Sequence, residues 1–419
     1  MIGGGESANP LIFYLFALTG SWLLGCSLWH GGWTIWREQS LLTRLALSFF
    51  CLMPLLQCIP LPPAVWHELP GRASSVQTLA LVGAAQDWHP ITLNFDATFR
   101  TFLMSVWLLG LLLAVMRLST VEWKALFGLL LAMGGVHLLV GMLQVATGGR
   151  FLFFDVPNIN FLLGLFANKN HSGLFIALLF PIGYIALYGE QGWSRQRLPL
   201  AFVGSLVLFA TLILTFSRAG LFFGALALAF LLLLSFEGRL GRGGRYAAFA
   251  GLGVVALLAV LASTDVATRS LGRFAGLGTD PRWLFWTWSR QLIPVYFPVG
   301  SGIGSFVEVF KVQEHLSWVK PTYLNHAHND YMEQLIEVGI AAPILWLLVL
   351  GMVTGPIRSA WRDRGRMQGR MALLGGLMVA MFFLHSAFDY PLRRPGLDVV
   401  FVIALAALLR RRSGRKTIA

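Results

Sequence analysis

The feature that most constrains this chain is a series of long apolar runs. About eleven of them, near 11–29, 42–60, 101–116, 126–146, 171–188, 199–216, 219–235, 247–263, 332–354, 371–388 and 396–409, approach the ~20 residues that cross a bilayer core. Hydrocarbon offers no water to backbone N–H and C=O groups, so each run must satisfy its own as a helix. The expectation is an all-α polytopic membrane protein with about 11–12 transmembrane helices, built as one integral membrane domain over residues 1–419. Composition agrees: 12% of the residues are charged, against roughly 25% in soluble domains. No removable leader is expected, because the first residues lack a basic stretch and a small-residue cleavage site.

The basic residues sort to one side when the runs alternate. Arg117 and Lys124 flank one connection, Arg195 and Arg197 the next, Arg239, Arg242 and Arg245 a third. Arg358, Arg362, Arg364, Arg366 and Arg370 crowd a fourth, and Arg410, Arg411, Arg412, Arg415 and Lys416 end the chain. That side is cytoplasmic by the positive-inside rule. The net charge of +13 is thus a topology signal, and no nucleic-acid partner is expected. The opposite side receives two long connections, 61–100 and 264–326, of a length that is usually functional. Alternation places the N-terminus on that outer side too. Residues 149–168, apolar but interrupted by Pro157 and Gly164, read as a partial or re-entrant segment. The three cysteines, Cys26, Cys51 and Cys58, show no metal spacing and read as small packing residues.

Four polar clusters fall on the outer side. In "FANKNHSG" an asparagine suits a helix cap, but Asn168, Lys169, Asn170 and His171 exceed what one cap needs. In "TFSRAG" almost no loop separates two apolar runs, so Arg218 sits at the membrane surface. A charge there costs ~2.5–3.5 kcal/mol on insertion scales unless it snorkels or has a role. "TDPRWLFWTWSRQL" reads as a surface helix: Asp280 caps, Pro281 suits the first position, and Arg282, Trp286 and Arg290 recur at helical spacing. "PVGSGIGSF" supplies turns and fails the dinucleotide spacing.

The fourth cluster is "NHAHNDYMEQLIEVGI", Asn325 to Ile340. On a helix starting at His326, the carboxylates of Asp330, Glu333 and Glu337 share one face with His326, a structural or solvent-facing stripe. His326 then pairs with Asp330 or caps the helix. His328 falls on the opposite, apolar face with Met332, Leu335 and Gly339. The two histidines diverge, so no metal and no other cofactor is expected. His328 is left for hydrogen bonding or for proton transfer, which imidazole suits at neutral pH. Two or three arginines with one such histidine suit a lipid-linked pyrophosphate substrate: the forked guanidinium groups hold the pyrophosphate, and the histidine takes a proton from an acceptor hydroxyl. The absence of an Asp-x-Asp pair argues against a metal-bound nucleotide-sugar donor. A membrane transporter is the reading from a different class, but the polar groups gather at one surface rather than at the midplane.

"SRAG", "DPRWLFW", "PVGSGIGSF" and "AHNDYMEQLIEVGI", in this order, resemble the O-antigen ligase and polymerase superfamily of membrane glycosyltransferases. The family signature is His followed by Asn, Ser or Gln, nine residues, and Gly-x-x-Gly/Thr/Tyr. His328-Asn329 and Gly339 fit it, and Ala342 departs at the last position. The likeness runs from about Phe166 to Ala342. It implies a GT-C-like glycosyltransferase fold whose large periplasmic loop contains short helices. It implies glycan transfer from undecaprenyl pyrophosphate on the periplasmic side of the bacterial inner membrane, without metal and with inversion. By resemblance His328 is catalytic, and Arg218 and Arg282 engage the pyrophosphate. Lys169, Asn168, Asn170, Arg290 and His326 are further candidates. Among family activities, the compact loop and length favour an O-antigen ligase in lipopolysaccharide biosynthesis, with lipid A-core as acceptor and membrane lipids as partners. An O-antigen or polysaccharide polymerase acting on lipid-linked units is the alternative. Protein O-oligosaccharyltransferases usually carry a large further periplasmic region, and the last run and basic tail here argue against that activity.

Overall fold

The computed structural model describes residues 10–149, 161–188, 194, 196–235, 251, 280–317, 319 and 323–410. Among these residues the protein is helical apart from one short antiparallel strand pair. Helix α1 (Pro10–Ser27) leads through a π-helical turn, Leu28–Gly32, into α2 (Trp33–Glu38) and α3 (Leu41–Gln57). Strand β1 (Pro60–Leu61), α4 (Pro63–Trp66), α5 (Ala73–Leu81) and β2 (His89–Pro90) form the first long connection. Then come α6 (Phe95–Met116), α7 (Thr120–Ala146), α8 (Lys169–Leu187), α9 (Arg197–Leu214) and α10 (Arg218–Ser235). Short helices α11 (Pro281–Ser289), α12 (Leu292–Tyr296), α13 (Phe306–Gln313) and α14 (Asp330–Val338) precede α15 (Ala341–Arg362). Helices α16 (Met367–Ser386) and α17 (Pro395–Leu409) close the described chain. The run predicted near 247–263, Arg195, Arg239, Arg242, Arg245, residues 264–279 of the large connection and the basic tail from Arg411 onward lie outside the described residues.

Helices α6, α7, α8, α15 and α16 are long and apolar enough to cross a membrane, and α3, α9, α10 and α17 are shorter apolar helices of the same bundle. The protein is thus an all-α polytopic membrane protein. The ends of these helices follow local chemistry. Ser119 and Glu122 form a reciprocal capping box at the start of α7. Helix α6 begins at Phe95, earlier than its apolar run at 101. Asn94 caps it by accepting from the Ala97 N–H at 3.0 Å, and Asp96 pairs with Arg100 one turn on, so the polar first turn hides the start from hydropathy.

One predicted span is corrected. The run 332–354 is not a single helix: it breaks at Gly339, and the spanning segment is α15. Gly339 has φ +56° and ψ −129°, a region closed to residues with a Cβ. The freed backbone is taken up from outside the helix, with the Ile340 N–H donating to the Pro298 carbonyl at 2.9 Å.

Helices α8 and α16 form the centre of the bundle: 83% and 72% of their most apolar stretches are buried, against 11% in α15. Helix α8 packs on α7, α9, α10 and α16, and α16 packs on α15 and α17. Gly173 and Gly220 let α8 and α10 touch near their starts, where a Cβ on Gly173 would lie 3.0 Å from the Gly220 Cα. Helix α8 starts, α10 starts and α16 ends at the same end of the bundle, and this is where the polar clusters meet. Residues 161–168, described from the interrupted 149–168 segment, are drawn into the bundle there. Leu162 and Leu163 are fully buried, Gln144 exchanges two hydrogen bonds with Gly164, and the His137 Nδ1 accepts from the Leu165 N–H.

Over this end lies a second layer with its own apolar core of Trp288, Leu292, Tyr296, Phe306, Phe310 and Ile336, contributed by α11 to α14. Arg72, fully buried, ties the first long connection to this layer by donating to the carbonyls of Pro70, Ile91 and Gly300.

Candidate active site

Asp389, three residues beyond the end of α16, is the hub of the site. It is 1% exposed and accepts at both oxygens. Its Oδ1 meets the His328 Nδ1 at 3.3 Å and lies 3.6 Å from the His171 Nε2. Its Oδ2 accepts from Asn170 Nδ2 at 2.8 Å and from Arg282 Nη2 at 3.1 Å. Burial alone raises such a carboxyl. The approach of His171 and the hydrogen bond from His328, with their charges, outweigh it and hold Asp389 well below the usual carboxylate range. An ionised carboxylate only accepts, so the shared proton resides on His328 Nδ1. The His328 Nε2 makes no hydrogen bond among the described residues.

The segment before α14 is extended rather than helical, which corrects the reading of "NHAHNDYMEQLIEVGI". The helix starts at Asp330, because the Asn329 side chain accepts from the Met332 N–H at 3.0 Å. His328 sits at φ +51°, an uncommon conformation for a residue with a Cβ. Its neighbours over-determine it: the Trp286 Nε1 donates to the His328 carbonyl at 3.2 Å, and the imidazole lies between Phe285 and Tyr390. His328 therefore belongs to no helix face, and it points its ring at Asp389.

The two arginines approach from separate elements. Asp280 caps α11 through the Arg282 N–H at 3.0 Å, and its other oxygen pairs with Arg218 at the start of α10. Burial raises the Asp280 carboxyl, but the Arg282 backbone bond and the charges of Arg282 and Arg218 lower it further. Arg218, Asp280, Arg282, Asp389 and His328 thus form a continuous alternation of charged groups. Ser217 joins it by donating to Asn170 Oδ1 at 3.0 Å.

No curated protein matches the sequence. Residues 203–347 match the family described as O-antigen ligase, and this stretch carries Arg218, Asp280, Arg282 and His328. Over this stretch, about a third of the chain, the sequence is similar to the O-antigen ligase family. That likeness supports a membrane glycosyltransferase-like, ligase- or polymerase-type function in O-antigen or polysaccharide biosynthesis. The O-antigen ligase stretch ends within α15, so Asn170, His171 and Asp389 reach the site from outside it.

The three carboxylates of α14 do not face solvent. Asp330, Glu333 and Glu337 are at most 1% exposed and converge on Arg393, at 3.2, 3.0 and 2.8 Å. His326 pairs with Glu333 at 2.9 Å rather than with Asp330, and packs on Tyr390 with ring centroids 4.1 Å apart. One guanidinium cannot neutralise three buried carboxylates. Glu333, although burial raises it, is lowered to about 2 by Arg393 and His326. Burial pushes Asp330 and Glu337 up to about 7, with Glu333 adding repulsion. Glu337 is also the ligand of the glycine-rich loop. Gly300, Gly302 and Gly304 all have φ near +90°, and the N–H groups of Gly304 and Phe306 donate to Glu337 Oε1 at 2.9 and 3.3 Å. This loop cradles a carboxylate of its own chain.

Of the remaining predicted residues, Asn168 caps α8 by accepting from the Asn170 N–H at 2.8 Å. Lys169 lies over the Phe161 ring at 5.0 Å. Arg290 ends α11 exposed, and no contact joins it to the Asp389 cluster among the described residues. Sequence reasoning missed Asp389, Tyr390, Arg393 and Arg394. The available signal was "FDYPLRR": two adjacent arginines and an acid at the outer end of a span, opposite the side where most basic residues gather.

Proposed function

We propose that this protein is an O-antigen ligase that moves a glycan from undecaprenyl pyrophosphate to a sugar hydroxyl of lipid A-core, at the periplasmic side of the bacterial inner membrane. The observation that carries the reading is that Asp389 holds His328 and Arg282 at once. The base that would activate an acceptor and the cation that would receive a leaving pyrophosphate are then fixed relative to one another.

The reaction on this reading is a single displacement. The acceptor hydroxyl gives its proton to His328 Nε2, and its oxygen attacks the anomeric carbon. The bond from that carbon to the pyrophosphate oxygen breaks, and the electron pair leaves with the pyrophosphate. Attack opposite the leaving group inverts the anomeric centre. Arg282 and Arg218 lie on the side that receives the charge, and fork-shaped donors stabilise it as it develops. Asp389 stabilises the imidazolium that forms and keeps Nε2 turned to the acceptor.

The test is reconstitution of the protein in vesicles with lipid-linked O-antigen and either lipid A-core or a second lipid-linked unit. Transfer to lipid A-core supports the ligase. Extension of the second lipid-linked unit instead identifies a polymerase, and solute flux without glycan transfer identifies a transporter.

A further inference from the structure

Behind the Arg393 cluster lies a second cavity, of about 450 Å³, that the transfer reaction does not use. Its volume falls within the range of small-ligand sites, roughly 300–1,000 Å³. Its walls are apolar side chains of α3, α6, α15 and α17, among them Phe50, Leu109, Val349 and Leu405. Phe50 and Leu350 at the rim are 40% and 59% exposed, so it opens sideways between α3 and α15. From Leu345 to Val353 on α15, and from Asp398 to Leu405 on α17, the walls follow the helix axes for ~10–12 Å at 1.5 Å per residue.

One end of the cavity is polar in a particular way. Asp398, 7% exposed in the first turn of α17, lines it, and its carboxyl makes no hydrogen bond or ion pair among the described residues. A carboxyl turned into an apolar space within a spanning helix is costly and calls for a partner. Asp330, Tyr331, Gln334 and Ser386 complete this end. The Tyr331 hydroxyl donates to the Phe383 carbonyl and the Ser386 hydroxyl to Asp330, so neither hydroxyl hydrogen is turned to a ligand, and the Gln334 amide keeps its N–H groups at this end. The Gln334 Oε1 is occupied by Trp346 Nε1. The nearby Arg393 places each of its nitrogens on a carboxylate. What remains is a carboxyl acceptor above an apolar tube that no lysine or arginine lines, with Arg394 and Arg393 acting on Asp398 through their charge but not bonded to it. A pyrophosphate or other anionic head has no counter-charge here.

We propose that this cavity is a lipid site separate from the transfer site, taking one hydrocarbon chain of an amine-headed membrane lipid, with the ammonium group on Asp398. The chain enters between α3 and α15, its tail lies along α17, and the ammonium supplies Asp398 with a hydrogen-bonded counter-charge, which the neutral Gln334 amide cannot. The proposal does not depend on the glycan-transfer reading.

The experiment uses the full-length protein in vesicles containing a photoactivatable, diazirine-tailed phosphatidylethanolamine or its phosphatidylglycerol counterpart. The amine-headed probe is expected to label α3, α15 or α17 about tenfold more than the anionic one, the ratio expected of one charge-assisted hydrogen bond of ~1.5 kcal/mol. Asp398→Asn brings the ratio close to one, and Val349→Trp, which fills the tube, abolishes labelling by both probes. Asp398→Asn removes a carboxyl that has no hydrogen bond to lose among the described residues, and a monodisperse elution profile checks that it folds. Equal labelling of the natural protein by both probes, labelling confined to other helices, or an undiminished ratio in folded Asp398→Asn overturns the proposal.

Discussion

The carboxylate of Asp389 holds the ring of His328 at 3.3 Å, although the two residues lie 61 positions apart and on opposite sides of two spanning helices in the chain. The bond fixes which ring nitrogen carries the proton. If His328 is the base, Asp389→Asn removes the anion that steadies the imidazolium and lets the ring turn. Transfer is expected to fall by about 10²–10⁴-fold in Asp389→Asn and at least as far in His328→Ala, the span of general-base contributions. The double variant is expected to be little worse than His328→Ala, because the two act as a unit. His326→Ala, which loses the pair with Glu333 and the packing on Tyr390, is expected to retain most activity. Initial rates in vesicles decide this, and an equal loss in folded His326→Ala and His328→Ala counts against the assignment.

Arg282 and Arg218 meet at Asp280, one through its backbone and one through its side chain. If both engage the pyrophosphate, Arg282→Ala and Arg218→Ala each weaken donor binding by ~10–100-fold, the value of one hydrogen bond to a charged group. Arg282→Lys recovers only part of this, because an ammonium cannot fork. Equilibrium binding of undecaprenyl pyrophosphate provides the measurement. Unchanged affinity in both alanine variants refutes the role.

The Arg393 cluster makes stability depend on pH. Asp330 and Glu337 are raised to about 7 by burial, so the folded protein holds their protons after the unfolded chain has released them. Their contribution is therefore complete below the ordinary carboxylate range and is lost as pH rises toward 7. Glu333 acts oppositely but only near pH 2 to 4, since Arg393 and His326 hold it to about 2. The melting temperature of the detergent-solubilised protein is expected to fall between pH 5 and 8. Asp330→Asn should flatten that fall, and an identical slope in the variant would contradict the account.

The glycine-rich loop gives a prediction about folding rather than chemistry. Gly302 has φ +105°, and a Cβ there would lie 1.9 Å from the Thr92 hydroxyl. Gly302→Ala is expected to destabilise the protein by at least ~1–3 kcal/mol, from the backbone conformation alone. It should loosen the grip of the loop on Glu337. A lowered melting temperature together with reduced amide protection of Gly304 checks it.

The spans were legible because hydrocarbon leaves a backbone only one economical conformation, and an apolar run declares it. The breaks were less so. The interruption at Gly339 lies inside a continuous apolar run, and only the packing of Pro298 against it shows why the helix stops there. Arg218, Arg282 and His328 stood out as polar groups at span ends, and the structure brings them to one cluster. Asp389 did not stand out, because a single acid after an apolar run reads as an ordinary helix end. Its meaning comes from contacts with α8, α11 and the α14 entry, none of them local in sequence. The helical-face argument for His326 and His328 was internally consistent but started the helix too early, since Asn329 caps it three residues after His326, which already meets Glu333.

Asp280 and Asp389 have a consequence for how an occupied site differs from an empty one. Each already sits on an arginine, so neither cation is left bare at a membrane surface where a lone charge is expensive. If the proposed pyrophosphate donor binds here, it would be a substitute anion, taking over a guanidinium that a carboxylate was keeping company. Once Arg282 has left, Asp389 would keep His328, His171, Asn170 and the Tyr390 N–H. On the proposed reading, donor arrival would thus change which groups Asp389 holds, and the charge balance around His328 would differ between the empty and the occupied site.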